Sequence, residues 1–138
     1  MDFQKLKLRL AETHEVRIVS KLLSLVNRKV EEKEVHELIE KKKVFVLKDK
    51  KKIRAVFSYT VIGFLGVFAI MYISRLAVVP DLQGNGIGSL LLARIKKLNI
   101  KLGIAAFFLF TAKAKEFYKK NHLDGVWRIF WWRKPSKS

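Results

Sequence analysis

Three glycines alternate through the stretch PDLQGNGIG, at Gly84, Gly86 and Gly88. The run before it, Met71 to Val79, is almost wholly apolar, and the run after it, Ser89 to Leu102, has helical spacing. Glycine permits backbone angles and close approaches that a Cβ forbids. A helix opening directly after such a turn offers unpaired N–H groups and the positive end of its dipole, which together favour a phosphate. Two nucleotide motifs fail against these residues. A P-loop needs a lysine and a hydroxyl after its last glycine, and here Ser89 follows Gly88 with no lysine. A dinucleotide fingerprint needs its third glycine where Ser89 stands, and an acid about twenty positions on. No acid lies between Asp81 and Glu116. Other chemistries have less to work with. The absence of cysteine excludes disulfides and thiolate metal sites. His14, His36 and His122 are scattered without ligand spacing, so no metal site is expected.

The elements that must position this turn follow from periodicity. Leu6, Leu8 and Leu10 alternate with Lys7 and Arg9, as in a half-buried strand. Thr13 is a candidate cap for a helix with the stripe Val16, Val19, Leu22, Leu23 and Val26. A shorter helix presents Val35, Leu38 and Ile39. Val44 to Leu47 is a strand that turns at Asp49 and Lys50, and Ile53 to Ile62 returns antiparallel. Gly66 to Val79 is the longest apolar run and predicts a central strand. After the glycine turn, Ile87, Leu90, Leu91, Ile95, Leu98 and Leu102 make one helical face, with Gly103 at the helix end. Lys96, Lys97 and Lys101 suit the negative end of that dipole. Ala105 to Phe110 is a buried strand, Ala112 to Asn121 a short helix, and Val126 to Arg133 a last strand. In that strand Trp127, Ile129 and Trp131 share a face, leaving Trp132 exposed or at a dimer contact. The order is that of an α/β sheet with helices on its faces.

The 138 residues suit one domain, residues 1–134, with 135–138 as a disordered tail. The start lacks a signal peptide's apolar core, so a soluble, cytoplasmic protein is expected. The twenty uncharged residues 55–74 are long enough to span a bilayer, but are β-branched, aromatic and interrupted at Gly63 and Gly66. A two-stranded hairpin and no membrane partner are therefore expected. The net charge of +17 attracts polyanions such as nucleic acid. A lysine-rich solvated surface, favoured by thermophiles, accounts for it as well.

LAVVPDLQGNGIGSLLL, Leu76 to Leu92, resembles the acetyl-CoA signature of the GNAT N-acetyltransferase superfamily. The match holds at Leu76, Ala77, Val78, Pro80, Gln83, Gly84, Gly86, Ile87 and Gly88, and TAKAKEFYKKNHL adds Ala114, Phe117 and Tyr118 at the expected spacing. The resemblance implies a mixed, mostly antiparallel sheet of six or seven strands with about four helices and two splayed, central parallel strands. It also implies that acetyl-CoA is the co-substrate. The N–H groups of Gln83, Gly84, Asn85, Gly86, Ile87, Gly88 and Ser89 would cradle its pyrophosphate. The backbone of Leu76, Ala77 and Val78 would pair with the pantetheine arm. Tyr118 would hydrogen-bond the departing sulfur. Thr111 stands at the coenzyme edge, where the family usually has asparagine, and His122 and Leu123 replace a usual glycine and phenylalanine.

Many relatives carry a glutamate base on the central strands, but Lys50 through Pro80 holds no carboxylate. The base must come from Glu31, Glu32 or Glu34, from Tyr72 through water, or be absent. Neutralising a lysine amine at pH 7 costs about 4.6 kcal/mol, and an α-amine only about 1 kcal/mol. The expected acceptor is therefore a polypeptide α-amine on a protein or peptide. The alternatives are an amine carried on tRNA, or a non-catalytic relative that binds coenzyme or nucleic acid. Either a monomer or a homodimer is compatible with these features.

Overall fold

The computed structural model describes residues 3–26, 28–50, 52–64 and 66–135. Seven strands are β1 (Lys7–Leu10), β2 (Val44–Lys48), β3 (Ile53–Phe64), β4 (Phe68–Val78), β5 (Ala106–Phe110), β6 (Asp124–Val126) and β7 (Ile129–Arg133). Four helices are α1 (Val16–Leu23), α2 (Glu32–Glu40), α3 (Ile87–Leu102) and α4 (Lys115–Lys120). The strands form one sheet in the order β1-β2-β3-β4-β5-β7-β6, in which β4 and β5 are the parallel pair. The predicted mixed, mostly antiparallel sheet with four helices is thus the one found. The uncharged run 55–74 falls on β3 and β4, and no helix among the described residues is long and apolar enough to cross a membrane.

Contacts divide the chain into two compact units, Met1–Tyr59 with Arg75–Leu91, and Thr60–Ser74 with Leu92–Ser138. In the first, β1, β2 and β3 pair antiparallel, with Leu8 opposite Leu47 and Val46 opposite Val56. The α1 and α2 stripes close over this sheet. Val19, Leu22, Leu23, Val35 and Ile39 join Val44, Val46, Val56 and Ala77 in one buried cluster. Burying each such side chain contributes roughly 1.5–3 kcal/mol. At the rim, burial pushes the Glu15 carboxyl up. Hydrogen bonds from the Glu12 N–H, Arg9 and Lys48 outweigh that and hold its pKa below the usual value. Arg75 on β4 donates through Nη1 to the carbonyls of Leu23, Val26 and Arg28, adding a second donor to the Leu23 and Val26 oxygens, which already accept from the N–H groups of Val26 and Arg28 just past the end of α1.

In the second unit, Ile70–Tyr72 of β4 pair in parallel with Ala106–Phe108 of β5. β5 in turn pairs with β7, Phe107 opposite Trp132 and Leu109 opposite Phe130. Met71, Ile95, Phe107 and Phe130 are buried, as is Asn99, whose Oδ1 has no hydrogen-bond partner among the described residues.

Three helices end in the same way. The N–H of Ile104 bonds the Asn99 carbonyl and that of Gly103 the Ile100 carbonyl, with Gly103 at φ 70°. Lys43 and Lys42 make the same pair of bonds to Leu38 and Ile39 at the end of α2, and Leu123 and His122 to Tyr118 and Lys119 at the end of α4. This double closure requires a left-handed residue, and Lys42 (φ 59°) and His122 (φ 66°) supply it where glycine is the usual choice.

Several expectations are corrected. Thr13 lies within a 3-10 turn, Thr13–Glu15, whose cap position is Glu12. The predicted helix Ala112–Asn121 shortens to Lys115–Lys120, because Thr111 and the residues after it form a turn, with Ala114 donating to Thr111 Oγ1 at 3.1 Å. The predicted last strand splits into β6 and β7 about a turn where Trp127 takes φ 57°. Trp127 therefore leaves the expected face and is 71% exposed. Trp132 is half-buried against Phe107, 5.7 Å between ring centres, rather than exposed. On α3, Leu102 is exposed and Leu92 is buried in its place. Gly63 lies within β3, and the turn comes at Gly66. The predicted tail at 136–138 lies outside the described residues.

A non-glycine residue in the left-handed region costs about 1 kcal/mol. His122→Gly should therefore raise the urea or thermal unfolding midpoint by that amount of stability. A lowered midpoint would remove this account of the α4 terminus.

Candidate functional site

The glycine turn begins where β4 stops. After Val78, Pro80–Leu82 make one 3-10 turn in which Leu82 donates to Val79 and Gln83 to Pro80. Asn85 then donates to the Leu82 carbonyl at 3.2 Å. Gly84 and Gly86 lie at φ 88° and 83°, so side chains at both positions would be strained. A Cβ on Gly84 would meet nothing within 4 Å, so its conformation, not crowding, calls for glycine there. Gly88 differs from the other two, lying within α3 without a positive φ.

Of the seven N–H groups expected to form the cradle, Gln83 and Asn85 are already engaged inside the turn. The other five, of Gly84, Gly86, Ile87, Gly88 and Ser89, have no acceptor among the described residues. Three of them are the opening N–H groups of a 16-residue helix. Several free donors at the positive end of a helix dipole fit a phosphate or diphosphate.

The end of β4 presents a second set of backbone groups. The Val79 N–H donates to the Arg54 carbonyl on β3 at 3.0 Å. Backbone groups alternate between the two edges of a strand. Ala77 therefore faces β3 like Val79, while Leu76 and Val78 face away from it. The Gln83 side-chain amide reaches the Val78 carbonyl at 3.3 Å, consistent with that direction. Of the three residues expected to pair with a pantetheine arm, Leu76 and Val78 thus have their backbone groups on the available edge.

In the second unit, Tyr118 projects from α4 and is buried, its ring 5.1 Å from Phe117 and 5.8 Å from Phe130 between centres. Burial pushes its phenol up to about 12. Thr111 acts as a turn-former. Its N–H donates to the Arg128 carbonyl at 2.8 Å, and its hydroxyl accepts from Ala114. Tyr72 is stacked on Phe108, 5.0 Å between centres, and meets the edge of Phe110.

The acidic candidates have other partners. Glu31, Glu32 and Glu34 lie 3.8, 3.6 and 3.2 Å from Lys29, Arg17 and Arg28. Glu12, His14 and Glu15 bring potential metal-ligating atoms within 4.8 Å of one another, but Arg9 and Lys48 already hold the Glu15 oxygens. One residue escaped the sequence reading altogether. Arg75 interrupts an otherwise uncharged run from Ala55 to Val79, and that isolation is the signal that marks it.

Comparison with known proteins identifies the family and the fold. The pattern of the acetyltransferase (GNAT) domain matches residues 40–122. No curated protein matches the sequence significantly. Among solved structures, Ard1 of Thermoplasma volcanium superposes with a TM-score of 0.79 at 13% identity, covering 96% of this chain and 99% of that one. Naa50 of Arabidopsis thaliana, in complex with the bisubstrate analogue CoA-Ac-MVNAL, gives 0.77 at 15% identity, covering 94% and 99%. N-acetylglutamate synthase of Neisseria gonorrhoeae, complexed with coenzyme A and L-arginine, gives 0.75 at 17% identity, covering 93% of this chain. This chain spans only 33% of the synthase. At these identities the likeness is one of fold. The domain match covers well over half of the chain, which therefore belongs to the GNAT acetyltransferase family.

Proposed function

We propose that this chain is an acetyl-CoA-dependent N-acetyltransferase, residues 1–134 acting as one domain, whose acceptor is a polypeptide α-amine. The five N–H groups of the glycine turn and the first turn of α3 that have no acceptor among the described residues carry this reading. They match a diphosphate in number and polarity, and Leu76 and Val78 offer backbone groups to an amide-bearing arm. Acetyl-CoA supplies the acetyl thioester. The acceptor amine forms a C–N bond to the acetyl carbon as the C–S bond breaks, and the amine's proton passes to water.

Tyr118 assists that departure as a hydrogen-bond donor. With its pKa pushed up to about 12 against about 8.5 for a thiol, full proton transfer is uphill by roughly 5 kcal/mol. A neutral phenol can still stabilise charge growing on sulfur. The choice of acceptor follows from the shortage of bases. β4 carries no carboxylate, and Glu32 and Glu34 are paired with arginines. A site without a strong base favours the amine that is cheapest to neutralise, the α-amine. The peptide-bearing analogue bound to the Arabidopsis Naa50 is in keeping with this preference.

Four outcomes test the reading. Proline is tolerated in the first turn of a helix, so Ser89→Pro deletes one cradle donor without unfolding α3. Titration calorimetry should then show acetyl-CoA affinity falling roughly ten- to a hundredfold, the value of one hydrogen bond to a charged group. Unchanged affinity would separate the turn from coenzyme binding. Tyr118→Phe should lower kcat by roughly a hundredfold while leaving coenzyme affinity intact. With the phenol ionising only at about 12, the wild-type rate should rise with pH as the acceptor deprotonates, and show no Tyr118-dependent fall below about pH 11. Labelled acetyl transfer should reach peptides with a free N-terminus and spare those whose N-terminus is blocked. Equal labelling of both would reject the α-amine.

A further inference from the structure

We propose that the β1–β2–β3 corner of the first unit is a docking surface for the phosphodiester backbone of double-stranded nucleic acid, separate from the glycine turn. Two adjoining clefts, of about 260 and 480 Å³, open there. Apart from Gln4 and Asp49, every described residue lining them is a lysine or arginine.

The local acids are already spent. Asp49 accepts from Arg54 at 2.8 and 3.0 Å and from the Lys52 N–H at 2.9 Å. Glu15 accepts from Arg9 at 2.8 Å and Lys48 at 3.2 Å. The ammonium groups of Lys5, Lys7, Lys50 and Lys52 have no ion pair among the described residues. Moreover, Lys7 sits directly opposite Lys48 across the β1–β2 ladder. Like charges in that position repel, and a bound anion would relieve the repulsion. The period of a strand puts Lys7, Arg9 and Lys48 on one face, so their charges act in one direction.

The chemistry of the lining selects the occupant. Single-stranded nucleic acid is normally held by aromatic side chains on which bases stack. Among the described residues no aromatic side chain lines either cleft. Ammonium and guanidinium groups without such a platform suit the regularly spaced phosphates of a duplex, with no selection of sequence.

Four free ammonium groups predict the salt response. The logarithm of the association constant should fall against that of salt concentration with a slope of about −3.6, a loss of roughly a hundredfold between about 50 and about 200 mM. The probe is a fluorescent DNA duplex of about twenty base pairs of arbitrary sequence, followed by anisotropy with the full chain. Replacing Lys5, Lys7, Lys50 and Lys52 by glutamine should abolish most of the binding and flatten the slope. Replacing Lys97, Lys101, Lys119 and Lys120, exposed residues of the second unit, changes the net charge equally and should leave most of the affinity. The pair Lys50→Gln and Lys52→Gln, confined to one exposed turn, should remove about half of the slope and serves if the fourfold variant does not fold. Saturating acetyl-CoA should not displace the duplex. Equal losses in the two fourfold variants, displacement by acetyl-CoA, or no binding at about 50 mM salt would each overturn the proposal.

Discussion

A helix that opens directly after a tight turn leaves its first N–H groups without intrahelical partners, and the turn between β4 and α3 gathers five N–H groups that have no acceptor among the described residues. That is the constraint on which the site depends. Two left-handed glycines turn the chain so that α3 begins at once after the strand, leaving its first donors beside those of the turn. The rest of the first unit holds this geometry in place. Val79 is bonded to β3, Ala77 is buried in the common core, and Ile87 anchors the first turn of the helix. Water can fill such a cradle, but a diphosphate fills it with charge of the sign that the helix dipole prefers.

The polar inventory narrows the chemistry in a complementary way. The one tyrosine at the family position is so buried that it holds its proton far above neutrality. Glu31, Glu32 and Glu34 are paired with Lys29, Arg17 and Arg28. On the reading proposed above, a site short of both strong acid and strong base relies on positioning and on a substrate that is cheap to neutralise. This favours an α-amine over a lysine side chain by the roughly 3–4 kcal/mol that separates their neutralisation.

Much of this architecture was legible in the order of residues. The glycine turn, the apolar run of β4 and Gly103 past the end of α3 each carry a local signature, and each is found where it was expected. The misses have physical causes. Lys42, His122 and Trp127 adopt left-handed backbone conformations without being glycine, so no residue type announces the turn. The last of these split one expected strand into a hairpin and moved an indole into solvent. On α3 a single stripe was too narrow an assumption, because Leu92 and Asn99 are buried together with Ile87, Leu91 and Ile95. The engagement of Gln83 and Asn85 inside the turn was equally hidden, since it depends on a 3-10 turn that Pro80 only partly signals.

Arg75 ties β4 to carbonyls that lie 47 to 52 residues earlier in the chain. A contact of that separation must wait for a long loop to close, so it belongs late in folding. The last turn of α1 can form early, but it gains its cap only when the strand arrives. Loss of the guanidinium, as in Arg75→Met, should therefore hasten unfolding and leave the refolding limb of a chevron nearly unmoved. A matching slowdown in refolding would place this cap in the folding nucleus instead.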